Sequence, residues 1–141
     1  MKEPVSCGLL FKQINDELRK QLNNHLRSFD LTMAQMGVLM VLGKKADKQM
    51  TLKELERDFR VAQSTAAGIA SRLEQKGFIE SFGDSGDKRI KIVRITEKGE
   101  QFCQDAGKHR EQTEEKLLSG LTETEKEILL SLLKKVRDSL H

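Results

Sequence analysis

A short basic hairpin follows directly on a pair of helices, and that succession limits the folds open to this chain more than any other feature. The run Gly83-Asp84-Ser85-Gly86-Asp87 is built from residues that tolerate tight-turn backbone angles. Phe78–Phe82 before it reads as an outgoing strand. Lys91-Ile92-Val93-Arg94-Ile95, rich in β-branched residues, reads as the returning strand. Lys88, Arg89, Lys91 and Arg94 make the hairpin locally basic. A basic hairpin beside a helix pair has the shape of a winged DNA-binding domain. One helix of such a domain lies in a major groove while the wing reaches the neighbouring backbone or minor groove.

The helices around this centre are marked by their starts. Thr32 with Gln35, Thr51 with Glu54, and Thr122 with Glu125 each have the spacing of a capping box, in which the Thr side chain and the Gln or Glu side chain satisfy each other's backbone donors. Leu10, Ile14, Leu18, Leu22 and Leu26 lay a stripe along a long first helix. Met36, Leu39, Met40 and Leu42 give the second helix its apolar residues, with Gly43 and the polar run Lys44–Gln49 ending it. Leu52, Leu55 and Phe59 form the apolar face of a short third helix, and Arg60-Val61-Ala62 is a turn. The fourth helix is expected over about Gln63–Lys76 with Ala66, Ile69, Ala70 and Leu73 inward. Gly77 stops it, since Gly adopts a left-handed conformation cheaply. Thr96 caps a fifth helix carrying Phe102, Ala106, Arg110, Thr113 and Leu117 on one face, broken at Gly120. Ile128, Leu129, Leu132, Leu133, Val136 and Leu140 make the strongest stripe of all.

The two ends carry more apolar helix face than the small centre can cover. A stripe with no partner within its own chain calls for one from another chain, so dimerisation through both ends is expected. The fold class expected is mainly α with one β-hairpin: a winged helix-turn-helix flanked by N- and C-terminal dimerisation helices.

Net charge is only +3, so the total says little about nucleic acid and the placement of charge says more. No apolar stretch approaches the ~20 residues that span a bilayer. Met1-Lys2-Glu3-Pro4 has none of the apolar run of a secretory leader, so a cytoplasmic protein without membrane partners is expected. Two cysteines, Cys7 and Cys103, make no disulfide framework. There is no Gly-rich phosphate loop, Ser-His-Asp set or pair of catalytic carboxylates, so no enzyme activity is expected.

Several segments together resemble the MarR family of bacterial transcriptional regulators: Leu52-Lys53-Glu54-Leu55, Val61-Ala62-Gln63-Ser64-Thr65, Leu73-Glu74-Gln75-Lys76-Gly77-Phe78-Ile79 and Asp87–Gly99. The family's wing signature has Asp, Arg two residues later, an apolar strand, Leu-Thr or Ile-Thr, and Gly three residues on. Asp87, Arg89, Val93, Ile95-Thr96 and Gly99 match it in register. The likeness covers nearly the whole chain. It implies one MarR-type domain over residues 1–141, with 1–30 and 100–141 as dimerisation helices and 31–99 as the DNA-binding region. It also implies a homodimeric repressor on a pseudo-palindromic operator, and a small apolar or aromatic effector bound between dimerisation helices and winged domain.

The residues expected on double-stranded DNA are Gln63, Ser64, Thr65, Ser71 and Arg72 in the recognition helix, with Asp87, Lys88, Arg89 and Lys91 in the wing. Gln63 suits an adenine edge and Arg72 a phosphate or guanine. Arg89 suits a minor groove, whose negative potential attracts Arg. Asp87 cannot favour DNA itself, so its role is to orient Arg89 or a nearby Lys through a charge-assisted hydrogen bond. The chain departs from the family at Ala62, where Ser often caps the helix and where Gln63 or Ser64 would have to cap instead. It departs again at Ala67 and Gly68, where polar or basic residues commonly reach bases. Shape readout by the wing then carries more of the specificity.

Cys7, near the start of the first helix and followed by Leu9-Leu10-Phe11, resembles the reactive Cys of the family's organic-peroxide sensors. Those pair the thiolate with tyrosine hydroxyls, and this chain has no Tyr. The competing readings are a redox thiol, which needs low pKa and exposure, and a small hydrophobe in a dimer interface. Cys103 reads as packing. His25, His109 and His141 lack metal-ligand spacing, and no cofactor is expected. Met33, Met36, Met40 and Met50 gather around the second helix as core packing or as an adaptable pocket wall. A winged-helix protein-interaction module without DNA binding is the reading from another class. Salt-dependent binding to random DNA distinguishes it.

Overall fold

The computed structural model describes residues 4–141. Met1, Lys2 and Glu3, which belong both to the stretch read as lacking a leader and to the segment 1–30, lie outside the described residues. The described elements run α1 (Cys7–Ser28), α2 (Met33–Lys44), β1 (Gln49–Thr51), α3 (Leu52–Phe59), α4 (Gln63–Gln75), β2 (Ile79–Gly83), β3 (Lys91–Ile95), α5 (Glu97–Leu117) and α6 (Glu123–Asp138). The protein is mainly helical with a winged helix-turn-helix at its centre.

The helix starts follow the side chains. At Thr32, Thr51 and Thr122 both halves of the capping box form. At α5 the Thr96 hydroxyl accepts from Gly99 N at 3.2 Å. The wing hairpin pairs Ile79 with Ile95 through Gly83 with Lys91.

One element was not expected. The polar run after α2 ends in β1, which pairs antiparallel with β3, Gln49 opposite Arg94 and Thr51 opposite Ile92. The sheet therefore has three strands in the order β1-β3-β2. A further bond from Ile95 N to the Lys48 carbonyl, 3.0 Å, prolongs that pairing. Met50 sits in this strand and is buried, so it does not share the second helix with Met33, Met36 and Met40.

The chain divides into two compact units, one up to Asp105 and one from Ala106. The first holds every buried apolar residue of the described chain. Leu26, Val38, Leu39, Leu42, Leu55, Leu73, Ile79, Val93 and Phe102 are almost wholly enclosed there. Phe102 meets Phe29 edge-on at 5.0 Å and Phe78 at 6.0 Å. Each such side chain contributes about 1.5–3 kcal/mol by leaving water. Ion pairs such as Lys12–Asp16, both partners exposed, are screened by water and add little, so the apolar core holds this unit together.

The second unit contains the end of α5 and all of α6. None of the α6 side chains is buried, and Ile128, Leu132, Leu133, Val136 and Leu140 are exposed. In α1, Leu9, Leu10, Phe11 and Ile14 are likewise exposed, and only Leu26 of its apolar stripe is buried. Among the described residues no helix is long and apolar enough to cross a membrane.

Candidate nucleic-acid interface

The recognition helix is seated by its small inward residues. Ala66, Ala70 and Leu73 are buried, while Leu55 anchors α3 from the other side of the turn. The turn itself places Arg60 in the left-handed region at φ 52°. Gln63, Ser64, Thr65, Ala67, Gly68, Ser71 and Arg72 are then left exposed. At about 100° per residue, Ser64, Gly68 and Ser71 form the middle of that exposed face. Gln63 and Ala67 lie toward one flank, Arg72 toward the other. A Cβ added at Gly68 would meet nothing, so the face there is open backbone.

The two ends of α4 are held very differently. Ala62 is the N-cap and makes no side-chain hydrogen bond, so neither Gln63 nor Ser64 takes over as the cap. Both side chains lie inside the helix instead, in its first turn, and stay available to a partner. At the other end Gly77, with φ +83°, allows a two-bond closure. Gly77 N donates to Glu74 O and Phe78 N to Leu73 O, each at 3.0 Å. The Thr96 hydroxyl donates to Gly77 O at 2.6 Å, and Lys98 Nζ donates to Lys76 O at 2.5 Å.

The wing tip is ordered by carboxylates. Asp84 Oδ2 accepts from Gly86 N and Asp87 N at 2.9 and 3.1 Å, which folds the turn. Asp87 grips Arg89 in a fork: Nε to Oδ1 and Nη2 to Oδ2, each 3.0 Å. Arg89 N also donates to Asp87 Oδ1 at 3.0 Å. The guanidinium has five N–H donors, so three still face outward, and its side chain is 91% exposed. The Arg89 hydrogen bonds hold the Asp87 carboxyl below the usual carboxylate range, and Asp87 in turn holds the Arg89 proton more tightly. Because the shift favours the carboxylate, the fork survives to lower pH than an unpaired aspartate would stay ionised. It is lost as pH falls through the lowered Asp87 pKa.

Lys88 and Lys91 are exposed. Arg94 is used differently. Its guanidinium binds Glu80 across the hairpin at 2.8 and 2.9 Å and lies 4.7 Å over the Phe82 ring, so it braces the wing rather than extending from it.

A cleft of about 520 Å³ runs between wing, α3 and α4, lined among others by Lys53, Gln63, Ala67, Arg89, Ile90 and Lys91. It brings Gln63, Arg89 and Lys91 together. Ser64, Thr65, Ser71 and Arg72 lie outside it, on the exposed part of α4. Lys53 was not singled out in the sequence. Its signal was available: it follows Leu52 in the first turn of α3, turned away from the buried Leu55. Cations from the wing and from α3 that line one groove with the Gln63 amide, and hydroxyl groups on the exposed part of α4 outside it, suit a phosphodiester backbone and base edges.

The thiols lie elsewhere. Cys7 is the first residue of α1, exposed, next to the N-cap Ser6 whose hydroxyl accepts from Leu9 N at 3.1 Å. Cys103 is half-buried, its Sγ 3.4 Å from Leu39 O, and burial pushes its thiol pKa up. Among the described residues no group of three or more His, Cys, Asp or Glu could hold a metal ion.

Known proteins resemble this chain in sequence and fold. The sequence profile of the MarR family matches residues 31–91. YwaE of Bacillus subtilis, an uncharacterised HTH-type transcriptional regulator, is 35% identical over 57% of this chain, a stretch covering 47% of YwaE itself. The multiple antibiotic resistance protein MarR of Salmonella typhimurium is 30% identical over 95% of this chain and 92% of its own length. The structure of the MepR–DNA complex of S. aureus superposes with a TM-score of 0.83 at 25% identity, covering 95% of this chain and 99% of that one. On fold, wing register and sequence, this chain belongs to the MarR family of winged helix-turn-helix transcriptional regulators.

Proposed function

We propose that the protein is a homodimeric, ligand-responsive repressor that binds a pseudo-palindromic operator, with half-sites about one helical turn apart. The α4 helix enters the major groove through Gln63, Ser64, Thr65, Ser71 and Arg72. The wing extends Arg89 into the adjacent minor groove, with Lys88 and Lys91 on the flanking phosphates and Asp87 fixing the guanidinium. The observation that carries this reading is the cleft lined by Gln63, Arg89, Lys91 and Lys53, an amide suited to a base edge beside three cations suited to a phosphate backbone. A relative solved on DNA with the same fold supports it. Exposed apolar faces on α1 and α6 support the dimer. The effector is a small apolar or aromatic molecule. It must bind the two DNA-affinity states unequally, or it shifts nothing.

The test is affinity for a selected operator and for random DNA across a salt series. Strong, salt-dependent binding with a large preference for the operator is expected, and its absence would leave a protein-interaction module as the better reading. Within that assay Arg89→Ala should weaken binding to all sequences by a similar factor, because groups on the minor groove and backbone carry little sequence information. The slope of log K against log salt should shrink by about one unit or less, because the variant brings one cation fewer to the duplex and releases fewer counterions. An unchanged slope and affinity would remove the wing from the mechanism.

Gln63→Ala should separate sequence reading from general binding. Loss of an amide paired with adenine costs about 1–3 kcal/mol on the operator and much less on random DNA. Equal losses on both would reassign Gln63 to backbone positioning.

A further inference from the structure

We propose that Lys76 and Gln35 form a strut that fixes the pose of the recognition helix against the α1–α2 corner and so sets the half-site spacing the dimer accepts. The proposal rests on α4 being the DNA-reading helix. Lys76 is the C-cap residue of α4. Its ammonium donates to the Asp30 carbonyl and to Gln35 Oε1, the latter at 3.2 Å, and lies 3.8 Å from the Asp30 carboxylate.

Both acceptors are themselves held in place. Asp30 is in the left-handed region at φ 55°, within the corner after α1, where Asp30 N and Leu31 N close back on the α1 carbonyls of Arg27 and Leu26. That turn presents the Asp30 carbonyl to Lys76. Gln35 is the one buried polar residue of the described chain, 3% exposed. Its Oε1 also accepts from Thr32 N at 3.2 Å, so one oxygen serves the start of α2 and the end of α4 at once. A buried amide of this kind is retained only when its polar atoms find partners.

The strut bears on DNA because of what lies at either end. The recognition helix has no side-chain cap at its N-terminus, so its fixed end is the C-terminal one. Lys98, Thr96 and the Gly77 closure hold that end to the sheet side. Glu74 Oε1 accepts from Ser81 N of the wing at 3.2 Å. Lys76 alone among these residues reaches toward α1 and α2. In the proposed dimer α1 supplies interface, so the separation of the two recognition helices passes through this corner. Without the ammonium, α4 and the wing can tilt together about the α1–α2 corner. Lys76 and Gln35 are positioning residues and need not touch DNA.

The experiment uses the full chain and a panel of operators whose half-site spacer is lengthened or shortened by one base pair, a rotation of about 35°. The wild-type dimer should lose roughly tenfold or more in affinity per base pair of spacer change, as one half-site slips out of register. Lys76→Met keeps the aliphatic stem and removes the donor. It should flatten that profile to about threefold or less while the salt slope stays the same, since every phosphate keeps its cation. Lys76→Arg should restore the steep profile. Asp30→Gly keeps the backbone carbonyl and the left-handed turn, and should leave the profile steep. Amide exchange without DNA supplies a second readout. Lys76→Met should speed exchange at Lys76, Gly77 and Phe78 by about tenfold, with α3 unaffected. If Lys76→Met does not fold, Gln35→Met takes its place in both measurements.

A steep, unchanged spacing profile in the folded variant overturns the proposal, whether or not exchange has changed. If the wild type binds no DNA, the reading of α4 has failed. The exchange data then decide separately whether the strut exists.

Discussion

Leu132→Asp should convert the protein to a monomer at micromolar concentration and lower operator affinity by a factor on the order of a hundred to ten thousand. Leu132 stands on α6 beside Ile128, Leu133 and Val136, a helix with no buried side chain of its own. In a two-fold interface the change enters twice, and each aspartate would have to leave water for an apolar seam. Taking an unpaired carboxylate out of water costs several kcal/mol, more than one interface side chain contributes. The monomer engages one half-site and loses the effective concentration of the second. The core residues up to Phe102 do not include Leu132, so the winged unit should keep its helicity and its weak, salt-sensitive binding to random DNA. Sedimentation together with an operator titration decides the matter. A variant that stays dimeric and binds normally would show that α6 is not the interface, and the proposal of a dimer built on the exposed end helices would fail with it.

Much of the fold could be read locally, because its signals are local. Thr32, Thr51 and Thr122 announce their helices three residues ahead of the Gln or Glu that answers them, and each box forms. The returning wing strand runs from Lys91 to Ile95 as its β-branched residues suggest. The Asp87–Arg89 fork needs only two residues between turn and strand. Gly77 ends α4 through a backbone angle that its neighbours could not adopt cheaply.

What was missed depends on partners far away in sequence. β1 is three residues long, too short to show alternation, and it is a strand only because β3 offers an edge. The cap expected at Gln63 or Ser64 failed because both residues sit past the N-cap, inside the first turn. Lys76 meets Gln35 across 41 residues and the Asp30 carbonyl across 46, and nothing near Lys76 marks either partner. Lys53 joins the cleft only once the hairpin folds back over α3. Turn chemistry and periodicity place elements. They do not say which charged side chains will meet once the elements are packed.

Gly99→Ala should be among the most damaging single-methyl changes available to this protein. A Cβ at Gly99 would stand 2.4 Å from the Phe78 carbonyl oxygen and 2.5 Å from Ile95 Cγ1. The first of these is backbone and cannot swing aside. It is also occupied, since the Phe78 carbonyl accepts from Thr96 N at 3.0 Å. Making room would separate the start of α5 from the strand junction, strain that bond, and disturb Gly99 N donating to the Thr96 hydroxyl. Phe78 closes the C-terminus of α4 and packs on Phe102, so the displacement reaches the recognition helix and the core together. Overpacking typically costs 1–3 kcal/mol, and against fixed backbone about 3 kcal/mol or more is expected. For a chain of this size that is a fall in melting temperature of about 10 °C. Gly68→Ala is the matched control. It adds the same methyl in the middle of a helix where a Cβ meets nothing, so it should raise stability by roughly 0.5–1 kcal/mol through helix propensity alone. Thermal unfolding of both variants without DNA should therefore move in opposite directions. A Gly99→Ala protein melting within about 2 °C of the wild type, well under 1 kcal/mol, would mean that α5 can shift away from the Phe78 carbonyl at little cost. The tight junction between wing and α5 would then not be what holds the recognition helix in place.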